Sequence, residues 1–215
     1  MGQRHQIYVQ YRPEPACPGG EEVEKKLFGF HHQWLWGYTA CRQLSNLLSF
    51  YENAKKKGNS GVIGSTFSDR PDAIEVIQAI YSVDISSGYY HRLHRLDGCE
   101  KPEEGDNNNG ITVIDFTGER PRYGFVSLFG LECLDTSKEK AYKNWVPMGA
   151  EEYLSLHYPN FRLPGGDPEE KEWNERCRGV ADRLGGFEVL KTSDLKEIFP
   201  KSSFPPKRQP LGANK

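Results

Sequence analysis

Cys41, His91 and Asp115 stand in the chain order that a Cys-His-Asp hydrolase or transferase would allow. A thiol in the first turns of a helix is acidified by the backbone N–H groups there, and it needs an imidazole in reach and a carboxylate to orient that imidazole. The same Cys41 also falls on an apolar stripe with Leu44 and Leu48, where a small core residue belongs. His91, His94 and Asp97 form H-x-x-H-x-x-D, which would gather a metal on a helix. The surrounding YYHRLHRL reads as a strand, which turns His94 away from the other two, so no metal is expected there. The neighbours His31 and His32 share that defect. Asp115 lies inside the apolar run ITVIDF and is expected either to pair with a cation such as Arg122 across a hairpin or to sit at a pocket mouth.

A second chemistry comes from basic residues interleaved with rings. Arg4, Tyr8 and Arg12 lie on one expected strand, and Tyr89, Tyr90, Arg92 and Arg95 on another. Sheets that take nucleotides or single-stranded nucleic acid combine stacking rings with cations for phosphate. A solvated outer face produces the same pattern. The exposed-aromatic candidates Trp34 and Trp36 offer a protein-binding contact instead.

Several chemistries are excluded by motif. The chain has no GxxxxGK[ST], GxGxxG, GxSxG or HExxH. The DNNNG stretch fails the calcium-loop spacing, because counting back from Gly110 places Gly105 where the first acidic ligand belongs. It reads as a turn, with Asn109-Gly110 suited to positive φ. No cofactor is implied.

Composition bounds the rest. The 215 residues carry 28 Lys+Arg against 30 Asp+Glu, a net charge of −2, which excludes both a uniformly basic nucleic-acid coat and an acidic mimic. Hydrophobic residues make up only 36%, but 12% of the chain is aromatic, and rings bury enough area to build a core. The mean hydropathy of −0.72, with no apolar run near the roughly 18 residues a span needs, predicts no membrane association. Five scattered cysteines without a CxxC, no N-x-[ST] site and a charged N-terminus predict a reducing, cytoplasmic setting.

The elements that must hold these residues in place follow from periodicity. Ile7, Val9 and Tyr11 alternate with polar neighbours as in a half-buried strand, and Leu27–Phe30 continues as a second. Ala40, Cys41, Leu44, Leu47, Leu48 and Tyr51 share a helical face, closed by Lys55–Lys57 and Gly58. Pro71 opens a shorter helix. ITVIDF, TGERPR and YGFVSLFG read as strand, turn and strand. A short helix is expected over Ala150–His157. The next has Asp167 as N-cap, Pro168 at N1 and a stripe of Trp173, Cys177, Val180 and Leu184. FEVL reads as an edge strand and TSDLKEIFP as a last helical turn or two.

These elements predict an α+β fold: a single, mainly antiparallel sheet of about five strands, helices packed on one face, and a helical C-terminal subdomain. The expected divisions are residues 1–131 for the core domain, 132–200 for the subdomain and 201–215 for a disordered, acid-free tail. The opening MGQRHQ, the segment HHQWLWG leading into a helix, and DNNNGITVIDFTG resemble a group of uncharacterised proteins from fungi and large bacteriophages. Those begin MGxRHQ, carry an HxQWLYG-like segment and place an Asn-rich turn before a strand. The resemblance covers roughly the first 130 residues and implies a shared fold, with no activity attached.

Three function classes follow. The first is an intracellular binding or accessory protein taking a nucleotide or single-stranded nucleic acid through Arg4, Tyr8, Arg12, Tyr89, Tyr90, Arg92 and Arg95. The second is the Cys41-His91-Asp115 enzyme, and the third a protein-binding factor.

Overall fold

The computed structural model describes residues 5–12, 24–32, 35–56, 94–95, 110–126 and 146–201, and for 54–56 and 94–95 the backbone alone. Segments rich in rings and β-branched residues form the longer strands of a set of six. These are β1 (His5–Tyr11), β2 (Lys26–His32), β3 (His94–Arg95), β4 (Ile111–Asp115), β5 (Arg122–Val126) and β6 (Glu188–Val189). They join in one sheet in the order β3-β2-β1-β4-β5-β6. Among the described residues four helices accompany them: α1 (Gly37–Lys56), α2 (Ala150–His157), α3 (Pro168–Leu184) and α4 (Thr192–Ile198).

The sheet is mixed, which corrects the expectation of a mainly antiparallel one. β1 runs parallel to β4, with Ile7 opposite Thr112, and β5 runs parallel to β6. The β1–β2, β2–β3 and β4–β5 pairs are antiparallel. Local pattern announces the hairpins, because a tight turn is written in sequence. Which strand lies on the other side of β1 is decided by long-range packing, more than 100 residues along the chain.

Period-two alternation splits the sheet's side chains between two cores. Ile7, Val9, Tyr11, Ile114, Tyr123 and Phe125 face one core with Cys41, Leu44 and Leu48 of α1, Tyr153 of α2 and Cys177, Val180 and Leu184 of α3. Tyr8, Ile111, Val113 and Val126 face the other, where Leu195 and Ile198 of α4 and the following Phe199 cover them. Helices therefore lie on both faces, not on one. The reason lies in β4 and β5, which carry buried apolar residues at both parities, and such strands need cover on both sides.

The C-terminal elements form as their signals predict. Asp167 accepts the Glu170 N–H at 2.9 Å, Pro168 fills N1, and Cys177, Val180 and Leu184 are buried. β6 is an edge strand, and it adds residues from the expected subdomain to the common sheet. The expected boundary at 131/132, the Pro71 helix and the tail from residue 202 lie outside the described residues.

Among the described residues no helix is long and apolar enough to cross a membrane.

Candidate functional site

The two ends of the sheet differ in chemistry. One end, where β1 begins, β2 finishes and β4 begins, holds a concentration of polar side chains. His5 and His32 are register partners, and so are Gln6 and His31, with His94 opposite His31 on β3. His5, Gln6, His32 and Thr112 are all buried, and His5 Nε2 and Thr112 Oγ1 share a hydrogen bond of 2.7 Å. Tyr8 Oη donates to Gln6 Oε1 at 2.9 Å. Gly110 supplies the turn into β4 with φ +113, as the Asn-Gly pair predicts, and its carbonyl accepts from Gln6 N–H. Polar groups at such depth on a central strand cost free energy unless they are bonded, so their types at these positions are tightly constrained.

α1 starts at the same end, and its first turn is fully occupied. The Gly37 N–H donates to Tyr153 Oη at 3.2 Å, and the Tyr38 backbone bonds Tyr158. Thr39 and Ala40 N–H groups return to the Trp36 carbonyl. Two tyrosine hydroxyls thus do what an N-cap side chain usually does, leaving no donors for an anion. Gly37 is required, with φ +50, and any Cβ there would stand only 2.8 Å from Tyr158 Oη. Around it Trp36, Tyr153, His157, Tyr158 and Trp173 pack ring against ring, with Tyr153 and His157 centroids 4.8 Å apart. Burial holds the His157 imidazole down at about 4, so the ring is neutral at pH 7.

At the opposite end, Asp115 is one side of the cross-hairpin pair with Arg122. Arg122 Nη2 donates to Asp115 Oδ2 at 2.6 Å, and Thr117 donates to Oδ1 through both N–H and hydroxyl. Arg122 also reaches Asp194 at 3.2 Å, tying α4 to the sheet. These bonds are structural, so the pocket-mouth alternative is set aside.

Two of the catalytic trio, Cys41 and Asp115, lie among the described residues. Cys41 is fully buried, and burial raises its thiol well above the ordinary value, with Cys177 nearby adding to the shift. A thiol held protonated inside a core is not a nucleophile. Its helix position is right, but the packing overrides the expected acidification. Asp115 is bound to Arg122, and His91 lies outside the described residues. Cys41 and Cys177 are both free thiols.

The phosphate-binding set is divided. Tyr8 is 1% exposed and its ring meets Phe199 edge-on at 5.0 Å, so it has no free face for stacking. Alternation puts Tyr8 on an expected solvated face, but α4 and Phe199 cover that face. Arg12 is half-buried just past the far end of β1, roughly 23 Å of strand from His5. β1 and β3 do share the sheet, but β2 separates them, and Arg95 stands opposite Phe30. Arg4, Tyr89, Tyr90, Arg92 and Trp34 lie outside the described residues. Trp36 is half-buried and packs against His157 and Tyr158 in the aromatic cluster.

Sequence reasoning misses the histidine pairing. It weighs His31 and His32 against each other, whereas their partners sit on other strands. Among the described residues no group of three or more His, Cys, Asp or Glu is placed to hold a metal ion. No family model matches the chain, and neither a curated protein nor a solved structure matches it.

Proposed function

We propose that this chain is an intracellular binding or accessory protein that takes a phosphate-bearing ligand, a nucleotide or a single-stranded nucleic acid, at the histidine-bearing end of its sheet. The observation that carries the reading is the polar character of that one end, with His5, His32 and Thr112 on one face of the sheet and Gln6 and His31 on the other. Arg4 directly precedes His5 in the chain, and Arg92 lies two residues before His94. β3 runs antiparallel to β2, so the chain enters β3 from the end where β1 begins. On this reading Arg4 and Arg92 are the phosphate contacts and Tyr89 and Tyr90 the stacking rings, while the buried Tyr8 and the distant Arg12 stay out of the site. His31, half-buried at this end, is the imidazole that orients a base or sugar, while the buried His5, Gln6 and His32 hold the strand ends in place.

The test is titration of the full chain with a nucleotide panel and a short oligouridylate, followed by tryptophan fluorescence. Saturable binding that weakens with salt, and that Arg4→Ala and Arg92→Ala each weaken with a shallower salt slope, supports the reading. No binding by the wild-type chain, or binding indifferent to both substitutions, overturns it.

A further inference from the structure

We propose that Arg42 and Arg183 form an oxyanion site in the outer groove between α1 and α3, and that it takes a phosphate monoester. The two helices lie side by side and run in the same direction. The Tyr38 and Trp173 rings meet with centroids 5.0 Å apart, Cys41 stands near Cys177 in the core, and Ser45 Oγ accepts from Arg183 Nε at 3.2 Å. These contacts advance together along both chains. Arg42 is three residues before Ser45, so the two are neighbours on one side of α1, and helical spacing turns Arg42 away from the core-facing Leu44 and Leu48. On α3 the same spacing puts Gly179 and Arg183, four residues apart, on the outer side of the buried Cys177 and Val180.

Two observations point to an anion in this groove. The first is unmatched charge. Arg122, Arg162 and Arg176 all hold carboxylates, but among the described residues neither Arg42 nor Arg183 does. Asp182, beside Arg183 in the chain, bonds Arg162 instead. Arg183 spends only Nε on Ser45, which leaves both terminal nitrogens to donate. Arg42 is half-buried, so its stem is packed before any ligand arrives. Guanidinium forks match phosphate oxygens in geometry as well as charge.

The second observation is Gly179. A glycine inside a helix is destabilising, and no close neighbour requires this one, because a Cβ there would meet nothing within 4 Å. The missing side chain leaves open space on the α3 wall, at the level of Arg42. The groove is separate from the histidine-bearing end of the sheet and does not rest on the ligand reading given for it. A small phosphorylated molecule and a phosphorylated side chain of a protein partner present the same group, and the choice of probe separates them.

The experiment is calorimetric titration of the full chain, at physiological salt, with inorganic phosphate and with a glycine-flanked phosphoserine peptide beside its unphosphorylated twin. Wild type binds phosphate with a Kd below about 1 mM and gains melting temperature with it. Arg42→Gln and Arg183→Gln each weaken binding by about tenfold or more. Gly179→Leu, which favours the helix and fills the groove, blocks binding while keeping the fold. Arg162→Gln and Arg4→Ala leave it unchanged, the latter distinguishing this groove from the histidine-bearing end. A phosphopeptide that binds at least tenfold tighter than phosphate identifies a protein source, and equal affinity identifies a small molecule. Absence of binding by wild type overturns the proposal. So does equal weakening in Arg162→Gln, which means an adventitious ion only, or an Arg183→Gln variant that loses stability but keeps its phosphate affinity, which reduces Arg183 to a cation at the α3 C-terminus.

Discussion

Arg122 pairs with three carboxylates, Asp115, Asp194 and Glu188, and Arg162 with two, yet their surroundings set very different contributions. Arg162 joins Glu151 and Asp182 at 3.1 and 3.0 Å, and both partners are more than 60% exposed. Such pairs contribute at most about 1 kcal/mol. The partner of Arg122, Asp115, is 2% exposed, and removing the cation leaves a carboxylate in the interior with Thr117 as its remaining donor. Arg122→Met is expected to cost about 3 kcal/mol, and Arg162→Met less than about 1 kcal/mol, in urea denaturation at pH 7. Equal costs would mean that Asp115 finds water or another donor. Cys41 belongs to the same scale: its side chain contributes packing, so Cys41→Ala costs about 1 kcal/mol and leaves ligand binding intact. Slow alkylation of Cys41 in the native chain, accelerating only on unfolding, is the accompanying observation, and rapid native labelling would contradict the burial.

The junction of α1 and α2 shows how elements are held here. The α1 N-terminus is capped by hydroxyls from Tyr153 within α2 and Tyr158 at its C-cap, so the start of α1 is complete only with α2 in place. His157 sits in this contact with its folded-state value lowered to about 4 by burial, against about 6.5 in the unfolded chain. The unfolded state therefore takes up the proton first as pH falls. The contribution is whole above about pH 6.5, declines between about pH 6.5 and 4, and changes no further below that. His157→Phe, which keeps an aromatic ring and removes the titration, is expected to lose less stability than wild type between about pH 7 and pH 4.5 in denaturant titrations. Identical pH slopes for the two proteins would show that the junction titrates through other groups.

The sheet as a unit belongs to both cores, because β1 and β4 serve each of them. Ile7 and Ile114 serve the α1–α3 side, and Tyr8 and Val113 serve the α4 side. Cores that share their central strands unfold together. Phe199 is buried against Tyr8 on the α4 side, while Trp36 and Trp173 report on the other. Phe199→Ala is expected to cost about 3 kcal/mol, with tryptophan fluorescence and far-ultraviolet circular dichroism shifting by the same amount. Separate midpoints for the two signals would mean that the two sides unfold as independent units.

Features that depend on neighbours within a few residues are legible before any folding is known. The α1 stripe from Ala40 to Leu48, the Asp167-Pro168 cap and the β4–β5 hairpin with its Asp115–Arg122 pair are local in this sense. The polar identity of His5, Gln6, His31 and His32 is legible too, but not their meeting. Long-range packing alone sets β4 parallel beside β1, lays α4 and Phe199 over Tyr8, seals Cys41 into the core, and pairs His31 and His32 in register with histidines on two different strands. Period-two alternation says which residues share a face, but not what covers that face or which strand comes next. Those choices rest on burial of apolar area between segments as distant in the chain as Tyr8 and Phe199, a free energy that no local pattern encodes.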